Sequence, residues 1–534
     1  MSAFIVEAGI CLLLLFTPLA FGGIEMWAVG VVQILAAIVF VAWAAGPDTP
    51  WSPRTEPPPG ASPPPAIPPA RRLAKRILWG CIGIFVLFVL FQLTPLPSGV
   101  LKIVAPATDR LYALTIPGYA EGREFRSAEL TRWLVDNRRS EIPKAGLPSG
   151  MPALPDVPVS ETALPASASP LRTVSVYPFM TRERLTTLLS LIAVFAVICG
   201  HFRSRRRLNR LLAMVLGSVF AVSLFGLFQK LTWNGKLFWV REGEYENIFG
   251  PFVNRNNFAA YAVAALPLAV CLAFHALGKV RKGRRDALSQ LFFSSFAAIV
   301  ICGGIFYSLS RGGMIAAALA IAIIGVLLFY YGRHKTELIF LAVLFVAAGG
   351  FLSWIGSEEV IDRLQTMSEG AKTPSLEQRY TAWRQASHLI ADNWLTGTGL
   401  GTFRFAFLRY APPGGSWWTT AHNEYIELVA DTGLIGGTLA LAGLGAFVFA
   451  GMRPGRFRRR SGRYVFTGLV AGIVALMVHA NITADLQMPA IGLIVVVLGG
   501  ALLNHVDLHE AAGEAARDTT IGSGAHRRRR RRRK

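Results

Sequence analysis

The chain has 534 residues, of which 53% are hydrophobic and only 16% charged, and its formal net charge is +22. A soluble domain carries about a quarter charged residues. Apolar blocks of about 18–25 residues, the length that crosses a hydrocarbon core, recur along the whole chain, which excludes a soluble globular enzyme and predicts an all-α polytopic integral membrane protein.

In chain order, residues 1–45 hold two spans, 3–21 and 24–45. The first block lacks a basic flank and a small-residue cleavage pattern, so it reads as a helix and not as a signal peptide. Residues 46–76 form a Pro-rich linker (Pro57 to Pro59, Pro63 to Pro65) expected to be an extended spacer. A third span, 77–94, precedes a long outer loop, 95–183, whose stretch from Pro143 to Pro170 is rich in Pro, Ala and Ser. Residues 184–355 contain six spans: 184–201, 208–228, 257–277, 288–309, 313–331 and 338–355, with an outer loop at 229–256. A large outer loop, 356–424, is followed by spans 425–451, 464–482 and 487–503. A basic tail, 504–534, ends in the run Arg527 to Lys534. The total is about twelve spans.

Alternate threading places Arg71, Arg72, Lys75 and Arg76, then Arg203 and Arg205 to Arg207, then Lys279, Arg281, Lys282, Arg284 and Arg285 on one side. Arg333, Lys335 and the Arg453 to Arg463 group follow on the same side. The positive-inside rule makes that side cytoplasmic. Both termini are then cytoplasmic, and the large loops lie on the outer face of the membrane. The positive charge is thereby explained by topology, and the terminal run is expected to meet anionic lipid headgroups and no nucleic acid. The five cysteines all lie in apolar segments without metal-ligand spacing, so no disulfide framework is expected.

The large outer loop has a capping-box pattern, Ser375-Leu376-Glu377-Gln378. A helix from there to about Asn393 places Tyr380, Trp383, Ala386, Leu389 and Ile390 along one side and Arg379 elsewhere. Such a helix lies either on the bilayer surface or against its own loop. Gly397, Gly399 and Gly401 form a tight turn; with no strand before them, a dinucleotide-binding reading fails.

Three groups carry candidate chemistry. Asn254-Arg255-Asn256 opens an apolar helix, where bare backbone N–H groups favour anions; Arg255 reads either as a phosphate ligand or as an interfacial anchor. Ser310-Arg311-Gly312-Gly313 joins two outer helix ends by a connection too short for a proper loop. Arg311 therefore lies at or just below the interface, where a charge is functional by default. His422-Asn423-Glu424, with Glu427 and Asp431, closes the large loop. A neutral imidazole at a helix start suits a general base, although a capping role is the competing reading. Gly433 and Gly437 have the spacing of helix packing. There is no Asp-x-Asp, HExxH or Walker loop. Glu242, Glu244 and Glu246 form either a solvated acidic edge or a cation site. No metal and no cofactor is expected.

The outer face lacks ATP and nucleotide sugars. A transferase there needs a donor that arrives in the membrane, such as a polyprenyl diphosphate. The arginines would stabilise the leaving diphosphate, and the histidine would take the proton of an attacking hydroxyl. A transporter of a lipid-linked glycan is the rival, and it would show discontinuous helices and a charged transbilayer path.

At these residues the chain resembles the O-antigen ligase and polymerase superfamily of bacterial envelope enzymes. The matching stretches are Phe252 to Ala259, Ser310 to Gly313, Arg379 through Trp383 to Phe403, and His422 to Tyr425 running to Gly436, within about 184–440. The resemblance implies a C-type glycosyltransferase-like helical fold with a large helical periplasmic loop and an undecaprenyl-diphosphate glycan donor. It implies arginines matching Arg255 and Arg311 and a histidine matching His422 as catalytic residues. Asn254, Asn256, Arg379, Trp383, Asn423, Glu424 and Glu427 are the candidate substrate-binding residues on the same motifs. Asp392-Asn393 is followed by Trp394 where the family often has proline, and the 95–183 loop and basic tail are not part of the shared pattern. O-antigen ligation to lipid A-core is the first reading. Repeat-unit polymerisation and glycosylation of protein hydroxyls remain alternatives.

Overall fold

The computed structural model describes residues 1–47, 49, 68–116, 119, 171–242, 247–332, 335–356, 360–361, 374–411, 419–452, 460–483 and 486–531, with backbone alone at 355, 374–376, 460, 461 and 511–531. It is a bundle of helices: α1 (Ser2–Leu19), α2 (Met26–Ala44), α3 (Pro69–Gln92), α4 (Ser98–Val104), α5 (Pro106–Thr115), α6 (Pro178–His201), α7 (Arg205–Leu231) and α8 (Arg255–Val280). The second half adds α9 (Leu288–Tyr307), α10 (Arg311–Tyr330), α11 (Lys335–Ile355), α12 (Pro374–Asp392), α13 (Phe403–Ala406), α14 (Glu424–Phe447), α15 (Arg460–His479) and α16 (Pro489–Arg531). Twelve of these are long and apolar enough to cross a bilayer, and each predicted span falls on one of them. The protein is a multi-pass membrane protein. Among the described residues there is no strand, only isolated bridges such as Leu96 with Arg172. In hydrocarbon the backbone must satisfy its own polar groups, which a helix does within one segment.

Helix α8 runs through the middle and is buried almost continuously from Phe258 to Ala276. Its small residues let α15 approach backbone to backbone. A Cβ added at Gly472 of α15 would stand 2.2 Å from the Ala264 carbonyl oxygen, and one at Gly468 2.9 Å from the Leu268 Cα. Small residues at such crossings replace the hydrophobic driving force that lipid does not supply.

One face of the bundle carries both chain ends. There Glu7 of α1 meets Arg210 of α7 at 2.5 Å and His201 at 3.4 Å, and Arg71 and Lys75 of α3 pair with Glu510 and Asp507 of α16. These pairs explain two departures from the predicted boundaries. Helix α3 starts at Pro69, where proline is pre-organised for the first helical turn, so residues 69–76 are helix and not linker. Helix α16 continues well past 503. Pro57 to Pro65, Pro143 to Pro170 and the side chains of Arg527 to Lys534 lie outside the described residues.

The opposite face carries the long loops. Chain 171–177 returns from the first loop beside α4 and α5, held by the Tyr112 hydroxyl on the Thr173 and Ser175 carbonyls. Helix α12 starts at Pro374, so Ser375 lies inside the helix and not before it; its side chain is outside the described residues. Of the two alternatives for this helix, packing on its own loop is the one found. Ala382, Ala386 and Leu389 are buried against Phe403, Phe407, Ala421 and Ala430. Tyr380 leaves that face and is 64% exposed. Tyr410 ties the end of α12 to α13, its hydroxyl donating to Asp392 at 2.8 Å; burial and that carboxylate push its phenol up to about 12.

Helix α14 is broken at Gly433, whose φ of 61° and ψ of −162° suit glycine alone. The predicted packing role of Gly433 is thus corrected: it is a discontinuity. A break there frees the carbonyls of Ala430 and Asp431 and the amides of Leu434 and Ile435. The loop backbone replaces all four partners. Thr398 and Gly399 donate to Ala430 and Asp431 at 3.1 and 2.9 Å, while Leu434 and Ile435 donate to Trp394 and Leu395 at 2.7 and 3.3 Å. The acidic turn from Glu424 to Thr432 therefore belongs with the loop. The apolar segment after it, of about 19 residues at ~1.5 Å each, is long enough to cross the core.

Candidate functional site

Helices α8 and α10 begin side by side on the loop-bearing face, and each begins with an arginine. Asn254 caps α8, its Oδ1 accepting from the Asn256 amide at 2.9 Å. Ser310 caps α10, its Oγ accepting from the Gly313 amide at 3.2 Å, and its hydroxyl donates to Asn256 Oδ1 at 2.7 Å. Gly313 permits the contact, since a Cβ there would sit 2.4 Å from Ala259 Cβ. Arg255 and Arg311 are close enough to act on one another electrostatically. Neither has a carboxylate partner among the described residues, and the Arg311 Nε is buried without a hydrogen bond. Two guanidinium groups and two positive helix ends thus meet with no compensating carboxylate among the described residues, which is the electrostatic form of a diphosphate site.

His422 stands directly before α14. Asn423 caps that helix, with Oδ1 accepting from the Tyr425 and Ile426 amides at 3.0 and 3.1 Å. Ala421 is held on both sides. Its amide donates to Glu427 Oε1 at 2.6 Å, and its carbonyl accepts from Trp383 Nε1 at 2.7 Å. Between these fixed neighbours His422 adopts φ 49°, a left-handed conformation that histidine enters more readily than most side chains.

The turn after α15 joins the two halves. Asn423 Nδ2 donates to the Asn481 carbonyl at 3.0 Å and the Glu424 amide to Ala480 at 3.0 Å. On its other side, Gly312 lies against Ile482 and the His479 ring. His479 is buried, with Nδ1 3.0 Å from the Thr483 hydroxyl. The segment before α14 and the Arg311 turn therefore rest on the same four residues. Gln487 spans the acidic turn, donating to Glu427 Oε2 at 2.6 Å from its side chain and to Glu424 Oε1 at 3.2 Å from its amide.

The glycine turn is a brace. Gly397, Gly399 and Gly401 all have positive φ, and their neighbourhood amides are taken. Gly401 donates to Asp431 Oδ2 at 2.6 Å and Leu400 to Gln92 Oε1 at 3.1 Å. Gln92, fully buried at the end of α3, also donates to the Thr396 and Asp431 carbonyls at 2.8 and 2.9 Å.

Of the residues singled out from sequence, Asn254, Asn423, Trp383 and Glu427 are engaged in holding backbone, and Asn256 accepts from the Ser310 hydroxyl. Glu424 is bound to Gln487, and Asp431 to the glycine turn. Arg379 lies half-buried near the start of α12. Of the predicted acidic row, Glu242 pairs with Lys236, and Glu244 and Glu246 lie outside the described residues. Sequence reasoning missed Ser310 as a link, His479, Gln487 and Gln92. The available signal for His479 and Gln92 was a lone polar residue at the loop end of an apolar span.

A family model described as O-antigen ligase matches residues 296–441. Over this region the chain is similar to O-antigen ligases. No curated protein matches the chain. The O-antigen ligase match takes in Arg311, Arg379, Trp383, His422, Asn423, Glu424 and Glu427, along with the whole backbone insertion at Gly433. Arg255 lies outside it and joins through the Ser310–Asn256 bond. The match supports a glycosyl-transferring enzyme of the lipid-linked glycan ligase or polymerase type.

Proposed function

We propose that the protein transfers a glycan from an undecaprenyl-diphosphate donor to an acceptor hydroxyl on the loop-bearing face, with O-antigen ligation to lipid A-core as its reaction. The observation that carries this reading is the pair Arg255 and Arg311 at adjoining helix starts with no carboxylate partner among the described residues. An apolar cavity of about 310 Å³ begins one turn below, lined on α10 by Met314, Ala317, Ala318 and Ile321 and on α9 by Cys302 and Phe306. A headgroup site above an apolar groove fits an anionic lipid with a long tail. In the reaction, the acceptor oxygen bonds to the anomeric carbon as the bond from that carbon to the diphosphate oxygen breaks. The arginines stabilise the departing diphosphate, and His422 receives the acceptor's proton. Trp383 and Glu427 hold the backbone on which His422 stands. The positive-inside pattern supports a periplasmic loop-bearing face, which cysteine labelling at positions 410 and 283 from opposite sides tests.

The transporter reading predicts a discontinuous helix, and α14 is one. Its break, however, is filled by loop backbone near the surface, and the acids beside it hold backbone and side-chain amides in place. Deletion followed by gel analysis of envelope glycans tests the proposal. Loss of lipid A-core-attached long glycan with accumulation of lipid-linked donor supports ligation. Retention of single-repeat attachment alone points to polymerisation, and unchanged glycans on lipid and protein overturn the reading.

A further inference from the structure

At the face that carries the chain ends, far from the arginine pair, a cavity of about 530 Å³ lies between α7, α8, α9, α15 and α16. Its volume is in the range of about 300–1,000 Å³ typical of small-molecule sites. Its two ends differ in chemistry. Arg205 and Lys279 stand on its lining with Asn209, His275 and Gln290, while Leu212, Leu216, Phe220, Leu272 and Phe296 line the rest. Among the described lining residues there is no carboxylate. Arg205 is the first residue of α7, so the positive end of that helix adds to its charge. The Lys279 ammonium is fixed by Gln290 Oε1 at 3.1 Å. His505, bonded to the Gly462 carbonyl at 2.8 Å and packed on His509, forms the back wall. Phe293, on the lining, is 67% exposed, so the cavity opens sideways toward the lipid.

We propose that this cavity seats one anionic phospholipid of the adjoining leaflet, with its phosphate between Arg205 and Lys279 and an acyl chain along the apolar wall of α7 and α9. A neutral lipid leaves the net positive charge unmatched, and a free phosphate leaves the apolar part unfilled. The assignment is independent of the transfer chemistry on the other face.

Gly217 gives a clean test. It lines the cavity, and an added Cβ there meets nothing within 4 Å. Gly217→Phe therefore fills the site from an ordinary helical position and removes a helix-destabilising glycine. The experiment is native mass spectrometry of the full chain in neutral detergent with added phosphatidylglycerol, phosphatidylcholine or inorganic phosphate. The expected result is one retained phosphatidylglycerol, held at least about tenfold more tightly than phosphatidylcholine. Gly217→Phe should lose it. Arg205→Gln with Lys279→Gln should weaken it about tenfold or more, since each surface cation contributes several-fold to anionic-lipid affinity. Melting in phosphatidylcholine, expected to match the parent protein, checks that both variants fold. Equal retention of the two lipids, full retention by Gly217→Phe, or displacement of the lipid by equimolar inorganic phosphate would each overturn the assignment.

Discussion

The Ser310 hydroxyl donates to Asn256 Oδ1 at 2.7 Å, and this bond fixes the register of the two helices that begin with Arg311 and Arg255. Ser310 also caps its own helix. Ser310→Ala removes both interactions, and a lost cap alone costs about 0.5–2 kcal/mol. We expect a drop in kcat/KM for lipid-linked donor of about tenfold, larger than melting predicts, because the arginines lose their common alignment. Ser310→Thr keeps the hydroxyl and should recover most of it. Equal activity of the alanine variant and the parent, at equal folded protein, would separate the bond from the site.

Arg311 is the second measure of the same arrangement. Arg311→Lys should be nearly as damaging as Arg311→Ala, because lysine keeps the charge and loses the planar fork that grips two phosphate oxygens. Removing one such stabilising donor typically costs about 10²–10³ in rate. Steady-state transfer from purified donor decides it: a fully active lysine variant reduces Arg311 to an interfacial charge.

Trp383→Phe tests positioning without chemistry. It keeps an aromatic ring on the loop-packed side of α12 and deletes the Nε1 bond to the Ala421 carbonyl. A neutral hydrogen bond contributes about 0.5–1.5 kcal/mol, so turnover should fall about three- to tenfold with donor affinity unchanged. If affinity falls and turnover does not, Trp383 contacts the donor directly.

The helices were legible because apolar length is a local property of the sequence, and the arginine at each helix start followed from span ends and motif positions. The break in α14 was not. Gly433 and Gly437 share one spacing pattern, yet one is a discontinuity and the other an ordinary helical residue. What separates them is the loop segment 394–399, some 35 residues earlier in the chain, whose backbone fills the gap. Gln92 was hidden for the same reason, since its three partners come from the second large loop and α14. Pairwise roles across such distances leave no periodic trace.

That contrast is itself testable. A Cβ at Gly433 would stand 2.4 Å from the Leu395 carbonyl oxygen and would force a glycine-only conformation, whereas one at Gly437 meets only Val429 at 3.5 Å. Gly433→Ala should destabilise the protein by about 3 kcal/mol or more, combining backbone strain with the clash. Gly437→Ala should be neutral or mildly stabilising. Thermal melting in detergent compares them, and similar midpoints would contradict the inserted-backbone geometry.

His422 bears on both backbone and chemistry, so a single substitution does not isolate the proton transfer. At φ 49°, alanine adds a backbone penalty of about 1–2 kcal/mol, and part of any loss in His422→Ala would be misread. Asparagine and glycine tolerate the left-handed region. His422→Asn and His422→Gly should therefore melt close to the parent, while single-turnover transfer falls about 10²–10⁴-fold, the usual value of general-base help. Donor binding, measured separately, should stay within a few-fold. Added imidazole should restore part of the rate in His422→Gly, where the side chain is absent, and none in the parent. Normal transfer by His422→Asn would place the base elsewhere. Glu424, Glu427 and Asp431 would be tested next, each of which accepts from a backbone amide, of Gln487, Ala421 and Gly401 respectively. Lost binding with an unchanged rate at saturation would instead make His422 a ligand of the donor.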